Sequence, residues 1–163
     1  SYRQFARLKQ PEPGYFSLTN LMQDIQILYQ EELLQQHIDF SINFSQPGIQ
    51  VYADEGMLSQ VLINLLKNAI QALVGQSDKK IHIKVYGKEM TLFIRVTDNG
   101  PGIPSDLMEY IFIPFFTTKT NGTGIGLSLS RQIIRMHGGE LSVTSQPYHE
   151  TTFTISLPLH TRL

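Results

Sequence analysis

The apolar positions of this chain follow two rhythms, one of three and four residues and one of two, and the changes between them mark its elements. Between Asp54 and Gly75, Met57, Leu58, Val61, Leu62, Leu65, Leu66, Ala69, Ile70 and Leu73 recur at helical steps, the pattern of a helix set into a core. Asp54 suits the start of that helix and Gly75 its end. On a different face Asn64, Asn68 and Gln71 stand at i, i+4 and i+7, an uncharged polar line. Carboxamides beside so much apolar surface need partners, which are either neighbouring backbone or a ligand or metal. A second helical stretch runs from a cap at Thr19 or Ser17 to about Gln36, with Leu21, Ile25, Leu28, Leu33 and Leu34 on its apolar face. A third, Leu127 to Met136, stops at His137-Gly138-Gly139.

The period of two predicts strands. Ile38, Phe40, Ile42 and Phe44 alternate with polar residues, and Gln46-Pro47-Gly48 turns the chain into a short strand around Val51. Ile81 to Tyr86 and Thr91 to Asp98, joined by Gly87-Lys88-Glu89-Met90, read as a β-hairpin, and Glu140 to Ser145 with Thr151 to Leu157 as a closing antiparallel pair. Register is informative in the hairpin. If Leu92, Ile94 and Val96 face the core, Asp98 faces it too, at the point where the chain breaks into Asn99-Gly100-Pro101-Gly102. A core-facing carboxylate needs a donor, and the turn that follows is one source of it.

Between these elements lie two irregular stretches. Residues 1–16 open with a short helical pattern, Tyr2, Phe5 and Leu8, stopped by Pro11, Pro13 and Gly14; they are read as the end of a longer helix followed by a linker, or as a frayed terminus. From Asn99 to Asn121 the chain is loop-like, with one short helical turn around Leu107 to Ile111, and a loop of that length in a compact domain is usually functional or mobile. It leads into Gly122, Gly124 and Gly126 ahead of a helix, where backbone N–H groups can converge on an anion such as phosphate. Three glycines equally suit a plain hinge, and the spacing is neither the dinucleotide fingerprint nor a P-loop. Lys119 is either a point charge for phosphate or a solvated lysine.

Composition narrows the function classes. At 163 residues and 41% hydrophobic content the chain is one domain able to bury a sizeable core. With no cysteine there is no disulfide, thiolate metal site or thiol nucleophile, and the default setting is reducing and intracellular. A net charge of -1 gives no general attraction to nucleic acid or an anionic membrane, and no apolar run is long enough to span a bilayer.

Four motifs, Asn64-Leu65-Leu66-Lys67-Asn68-Ala69, Asp98-Asn99-Gly100-Pro101-Gly102-Ile103, Phe112-Ile113-Pro114-Phe115-Phe116-Thr117-Thr118-Lys119 and Gly122-Thr123-Gly124-Ile125-Gly126-Leu127, follow in an order and spacing that no single one dictates. Together they resemble the ATP-binding catalytic domain of a sensor histidine kinase, in the superfamily shared with gyrase, heat-shock chaperone and mismatch-repair ATPases. The resemblance covers roughly Asp54 to Pro158. It implies a Bergerat-type α/β sandwich: a mixed, mostly antiparallel sheet of about five strands with about three helices on one face. Residues 1–16 would be the end of a preceding helical dimerisation domain plus linker, and 17–163 the catalytic domain. The implied cofactors are ATP and Mg²⁺. Asn68, assisted by Asn64, would hold the metal; Asp98 would accept from the adenine amine, with Gly100, Gly102 and Ile103 at the base and Thr151 beside it. Phe112, Phe115 and Phe116 match the F box beneath a short lid between Lys119 and Gly122. Lys119, Gly122, Thr123, Gly124, Gly126 and Leu127 would face the phosphates, and Gln71 would be a bystander.

Asn64 stands where the ATPase branches carry a water-activating Glu, and an amide is no general base, so the resemblance implies kinase rather than fast ATPase chemistry. None of the five histidines suits the phosphoacceptor; His149-Glu150 lies in a predicted turn, not on a helix. The implied partners are a phosphoacceptor dimerisation domain of the same protein, through which it would be a homodimer, and a response-regulator receiver, with no nucleic acid or direct membrane contact. The domain would be cytoplasmic even if its parent were membrane-anchored, and the pattern most resembles the nitrogen-regulation-type kinases. One stretch departs from the family: Pro147-Tyr148-His149-Glu150-Thr151 replaces a Gly-containing turn, which leaves open a degenerate nucleotide-binding scaffold as one alternative, an ATPase of the same superfamily being the other.

Overall fold

The computed structural model describes residues 8–117 and 124–160. Among the described residues seven strands and three helices follow in the order β1 (Gly14–Ser17), α1 (Leu18–Gln35), β2 (Asp39–Phe44), β3 (Gln50–Ala53), α2 (Glu55–Ala72), β4 (Lys80–Lys88), β5 (Thr91–Asp98), α3 (Gly126–Met136), β6 (Glu140–Gln146) and β7 (Glu150–Pro158). The five-stranded sheet runs β2-β4-β5-β7-β6, with β2 parallel to β4 and every other pairing antiparallel. The helices cover one face, the mixed, mostly antiparallel sandwich that the resemblance implies.

Its core joins α2 to the inward side of the sheet. Val61, Leu65, Leu66 and Leu73 are at most 1% exposed and meet a sheet face on which Ile81, Val85, Ile94, Leu141 and Ile155 are fully buried. Removing one such side chain costs ~2–5 kcal/mol, so Leu65→Ala alone would take a large part of the domain's stability. Asp54 caps α2 as expected, its Oδ1 accepting the Met57 N–H at 3.0 Å, while its Oδ2 accepts the Glu12 N–H at 2.9 Å. These bonds hold its carboxyl below the usual range.

Three local readings change. Gly14–Ser17, read in part as linker, forms β1 and pairs antiparallel with β3, Gly14 opposite Ala53; Pro11 and Pro13 do not prevent a strand immediately after them, and the helical pattern of Tyr2 and Phe5 lies outside the described residues. Ser17 rather than Thr19 caps α1, accepting from the Asn20 N–H at 3.2 Å. The buried stripe of α1 is therefore Leu18, Leu21, Met22, Ile25, Tyr29 and Leu33, and Leu28 and Leu34 are 66% and 69% exposed. The stretch around Leu107 to Ile111, expected as one short helical turn, is a chain of i→i+3 turns, Leu107 N–H to Pro104 O and Tyr110 N–H to Leu107 O.

Left-handed residues close α1 and α3. After α1, His37 takes φ 55 while Ile38 N–H bonds Leu33 O and His37 N–H bonds Leu34 O; after α3, Gly138 at φ 77 and Gly139 repeat the same pair of bonds to Arg135 and Ile134. Gly139 is also a packing requirement, because a Cβ there would lie 2.0 Å from Ser156 O. Among the described residues no helix is long and apolar enough to cross a membrane.

Candidate functional site

Where α2, the end of β5, the start of α3 and the start of β7 converge, they enclose a cleft of about 500 Å³. Asn64, Asn68, Asp98, Gly102, Ile103, Gly124, Gly126, Leu127 and Thr151, all singled out from the sequence, line it. A shallower groove of about 400 Å³ between α1 and α2, bordered by Leu21, Ile25, Leu28 and Ile63, contains none of them.

Asp98 is the buried charge of the cleft. Strand alternation places it with Leu92, Ile94 and Val96, and it is 4% exposed, between Ile81 on β4 and Thr151 on β7. Among the described residues its side chain receives one hydrogen bond, from the Gly100 N–H to Oδ1 at 2.9 Å. Burial, which outweighs that bond, and secondarily the charge of Glu150 push its carboxyl up to about 6. Asn99, by contrast, is structural: its Oδ1 accepts the Lys80 N–H at 2.7 Å and its Nδ2 donates to Asp78 O, fastening β5 to the start of β4.

The polar line of α2 is brought together as the periodicity predicted, with one addition and one revision. Asn64 and Asn68 line the cleft one turn apart, and Asn64 Nδ2 donates to Ser130 Oγ on α3 at 3.1 Å. Gln71, read as a bystander, lines the cleft as well, because the stripe continues along the helix past Asn68. Lys67 also borders it, and its i+3 spacing from Asn64 on the same helix is the signal that could have placed it there.

The glycines work differently from a bare cradle. Gly100 does not line the cleft; a Cβ there would lie 2.8 Å from Asp98 Oδ1 and 3.0 Å from Ala72 O, so its smallness lets the loop close around the carboxylate. Gly102, at φ 77, backs onto the β6–β7 turn, 2.7 Å from Gln146 O by the same measure. Gly124, at φ 73, sits against the backbone of Phe115, whose N–H donates to its carbonyl at 2.8 Å, and Gly126 sits against the Asn64 carboxamide. Lys119, Gly122 and Thr123 lie outside the described residues.

The aromatic segment forms a side wall. Phe116 lines the cleft, and Phe112 meets Phe153 edge-on at 6.5 Å and carries the Arg131 guanidinium 4.3 Å above its ring. Phe115 turns away at φ 70 and is 48% exposed. The turn that departs from the family is docked on the loop after Asp98: the Tyr148 N–H donates to Pro101 O, and Ser145 Oγ accepts the Ile103 N–H at 2.7 Å while donating to Glu150 O. Tyr148 itself takes φ 70 with its ring 88% exposed, so the left-handed geometry that favours Gly is kept without Gly.

Residues 53–161 match the family model described as histidine kinase-, DNA gyrase B-, and HSP90-like ATPase. The chain belongs to that family. Its relatives include the signal transduction histidine-protein kinase AtoS of Escherichia coli, 37% identical over 96% of this chain and 26% of AtoS. The sensory histidine kinase/phosphatase NtrB of Vibrio alginolyticus is 36% identical over 94% of this chain and 47% of NtrB. The chain thus spans from about a quarter to a half of these relatives. Among solved structures, the nucleotide-free catalytic domain of the histidine kinase ThkA superposes with a TM-score of 0.83 at 37% identity, covering 90% of this chain and 95% of that one. The fold is that of a histidine kinase catalytic domain.

Proposed function

We propose that this domain binds Mg·ATP in the cleft and passes the γ-phosphoryl group to a histidine on a separate helical domain of a longer parent protein. The observation that carries the reading is Asp98, a buried carboxylate on the cleft wall with only one hydrogen bond from the described residues. An ionised carboxylate is an acceptor only, suited to the exocyclic amine of adenine and repelled by the carbonyl that guanine carries in the same place. Thr151 beside it and Ile103 and Phe153 around it form the polar and apolar surroundings of a base.

The metal chemistry is consistent with this. Among the described residues no group of three His, Cys, Asp or Glu side chains is placed to hold a cation. Mg²⁺ commonly enters with phosphates and keeps few protein ligands, and Asn68 and Asn64 on the cleft wall are suitable oxygen donors. When bound, the ion neutralises charge on the phosphates. No carboxylate stands at Asn64 to activate water, which favours transfer to an imidazole over hydrolysis. Lys119, Gly122 and Thr123 are assigned to the phosphates, with Gly124, Gly126 and Leu127, on the resemblance. The residues before Pro11 are assigned on the same basis to the end of a dimerisation domain, the receiver of a response regulator to the role of partner, and the cytoplasm to the domain's location. ThkA has been solved in complex with the response regulator protein TrrA.

Titration calorimetry with ATP and GTP tests the reading. ATP binding with Mg²⁺, weak GTP binding and loss of that preference in Asp98→Asn are expected; absence of ATP binding at about 1 mM would overturn it.

A further inference from the structure

We propose that Ser130 is a positioning residue for the metal end of the cleft, holding the Asn64 carboxamide with its oxygen rather than its NH₂ group available to a metal–phosphate complex. This rests on the reading of Asn64 given above. A carboxamide has two ends of nearly equal size and opposite chemistry, an acceptor that can ligate a cation and a donor that repels it. Rotation about the last side-chain bond exchanges them at little intrinsic cost. Which end faces the cleft is therefore decided by the neighbours.

Two neighbours frame it here, and both belong to α3. Ser130 is 2% exposed, and its Oγ accepts the Asn64 Nδ2–H at 3.1 Å. One turn earlier on the same helical face stands Gly126, where an added Cβ would lie 2.4 Å from Asn64 Oδ1. The carboxamide thus occupies a notch bounded by a hydroxyl at one end and a missing side chain at the other. Ser128, the other buried serine of α3, donates its hydroxyl to Ile125 O and takes no part. Reversing the amide would set NH₂ against the Gly126 end, where the Asn64 oxygen now stands, and would require the Ser130 hydroxyl to donate where it now accepts.

The test compares ATP affinity in excess Mg²⁺ with affinity in EDTA; the ratio is the enhancement due to the metal. Ser130→Ala is expected to lower that ratio about tenfold, as loss of an orienting partner behind a metal ligand does, with metal-free affinity unchanged. Ser130→Thr, which keeps the hydroxyl, should restore it. Asn64→Ala should lower the ratio as well, and adding Ser130→Ala to it should change nothing more. If Asn64→Ala lowers the ratio and Ser130→Ala does not, the positioning role is overturned and the reading of Asn64 stands. If Asn64→Ala leaves the ratio intact, the reading of Asn64 falls and the inference with it. Losses that are equal with and without metal, or additive in the double variant, would make Ser130 merely structural. Should a variant unfold, side-chain amide exchange in the wild type decides: slow exchange at Asn64 is expected, and exchange as fast as at an exposed Asn would overturn the proposal.

Discussion

Asp98 on β5 lies directly opposite Thr151 on β7, so the buried carboxylate and a buried hydroxyl share one register position on the cleft wall. The carboxyl titrates at about 6 in the folded chain against an ordinary 3.8. Between those values the native state retains a proton that the unfolded chain has lost, so ligand-free stability falls as pH rises from about 4 to about 6. The loss expected from a shift of this size is roughly 2–3 kcal/mol. Urea unfolding at a series of pH values checks it: the wild type should lose stability across that window relative to Asp98→Asn, and parallel curves would refute the shift. On the proposed role of Asp98, ATP affinity should rise over the same window, because the ionised carboxylate is the better acceptor for an amine.

Gly124 and Gly126 should respond differently to alanine. At Gly124 the new methyl meets Phe115 backbone at 2.4 Å with φ already at 73, so Gly124→Ala should destabilise the fold by ~1–3 kcal/mol. At Gly126 the obstruction is the Asn64 side chain, which can swing aside. Gly126→Ala should therefore keep most of the unfolding midpoint while losing Mg²⁺-dependent ATP binding, as calorimetry beside thermal unfolding will show.

His37 and Tyr148 hold left-handed backbone that glycine adopts without penalty. His37→Gly and Tyr148→Gly should each stabilise by up to ~1 kcal/mol, seen as a higher urea midpoint at constant slope. The Tyr148 N–H reaches Pro101 O through the backbone, which glycine preserves, so nucleotide affinity should stay within about twofold for Tyr148→Gly.

His137 closes α3 and serves the start of α2. Its Nε2 accepts the Asp54 N–H at 3.0 Å and its Nδ1 lies 2.7 Å from Ile133 O, an arrangement that uses the neutral ring with the proton on Nδ1. His137→Ala leaves the Asp54 N–H without that partner and should cost about 1–2 kcal/mol, measurable by urea denaturation.

Much of this was legible in the residue pattern, because period and register are local properties. The α2 stripe, the β4–β5 hairpin and the inward turn of Asp98 follow from steps of two, three and four. Residues whose roles depend on distant partners were not legible. Ser130 reads as an unremarkable helix serine until Asn64 is folded against it, and Gly100 reads as a feature of the base rather than of the Asp98 enclosure. Leu28 and Leu34 misled because α1 carries more leucine than its buried stripe uses. β1 was hidden by the prolines beside it, since a strand of four residues is too short to show an alternation of its own.

The sheet order has a consequence for assembly. β7 is the last strand in the described chain, yet it sits between β5 and β6. The wall that carries Thr151 and Phe153 is complete only once that strand has inserted, so no species lacking it presents the whole cleft to a ligand. Nucleotide bound there would discriminate between the finished domain and every partly folded form, and its binding energy would appear as a concentration-dependent rise in the melting temperature.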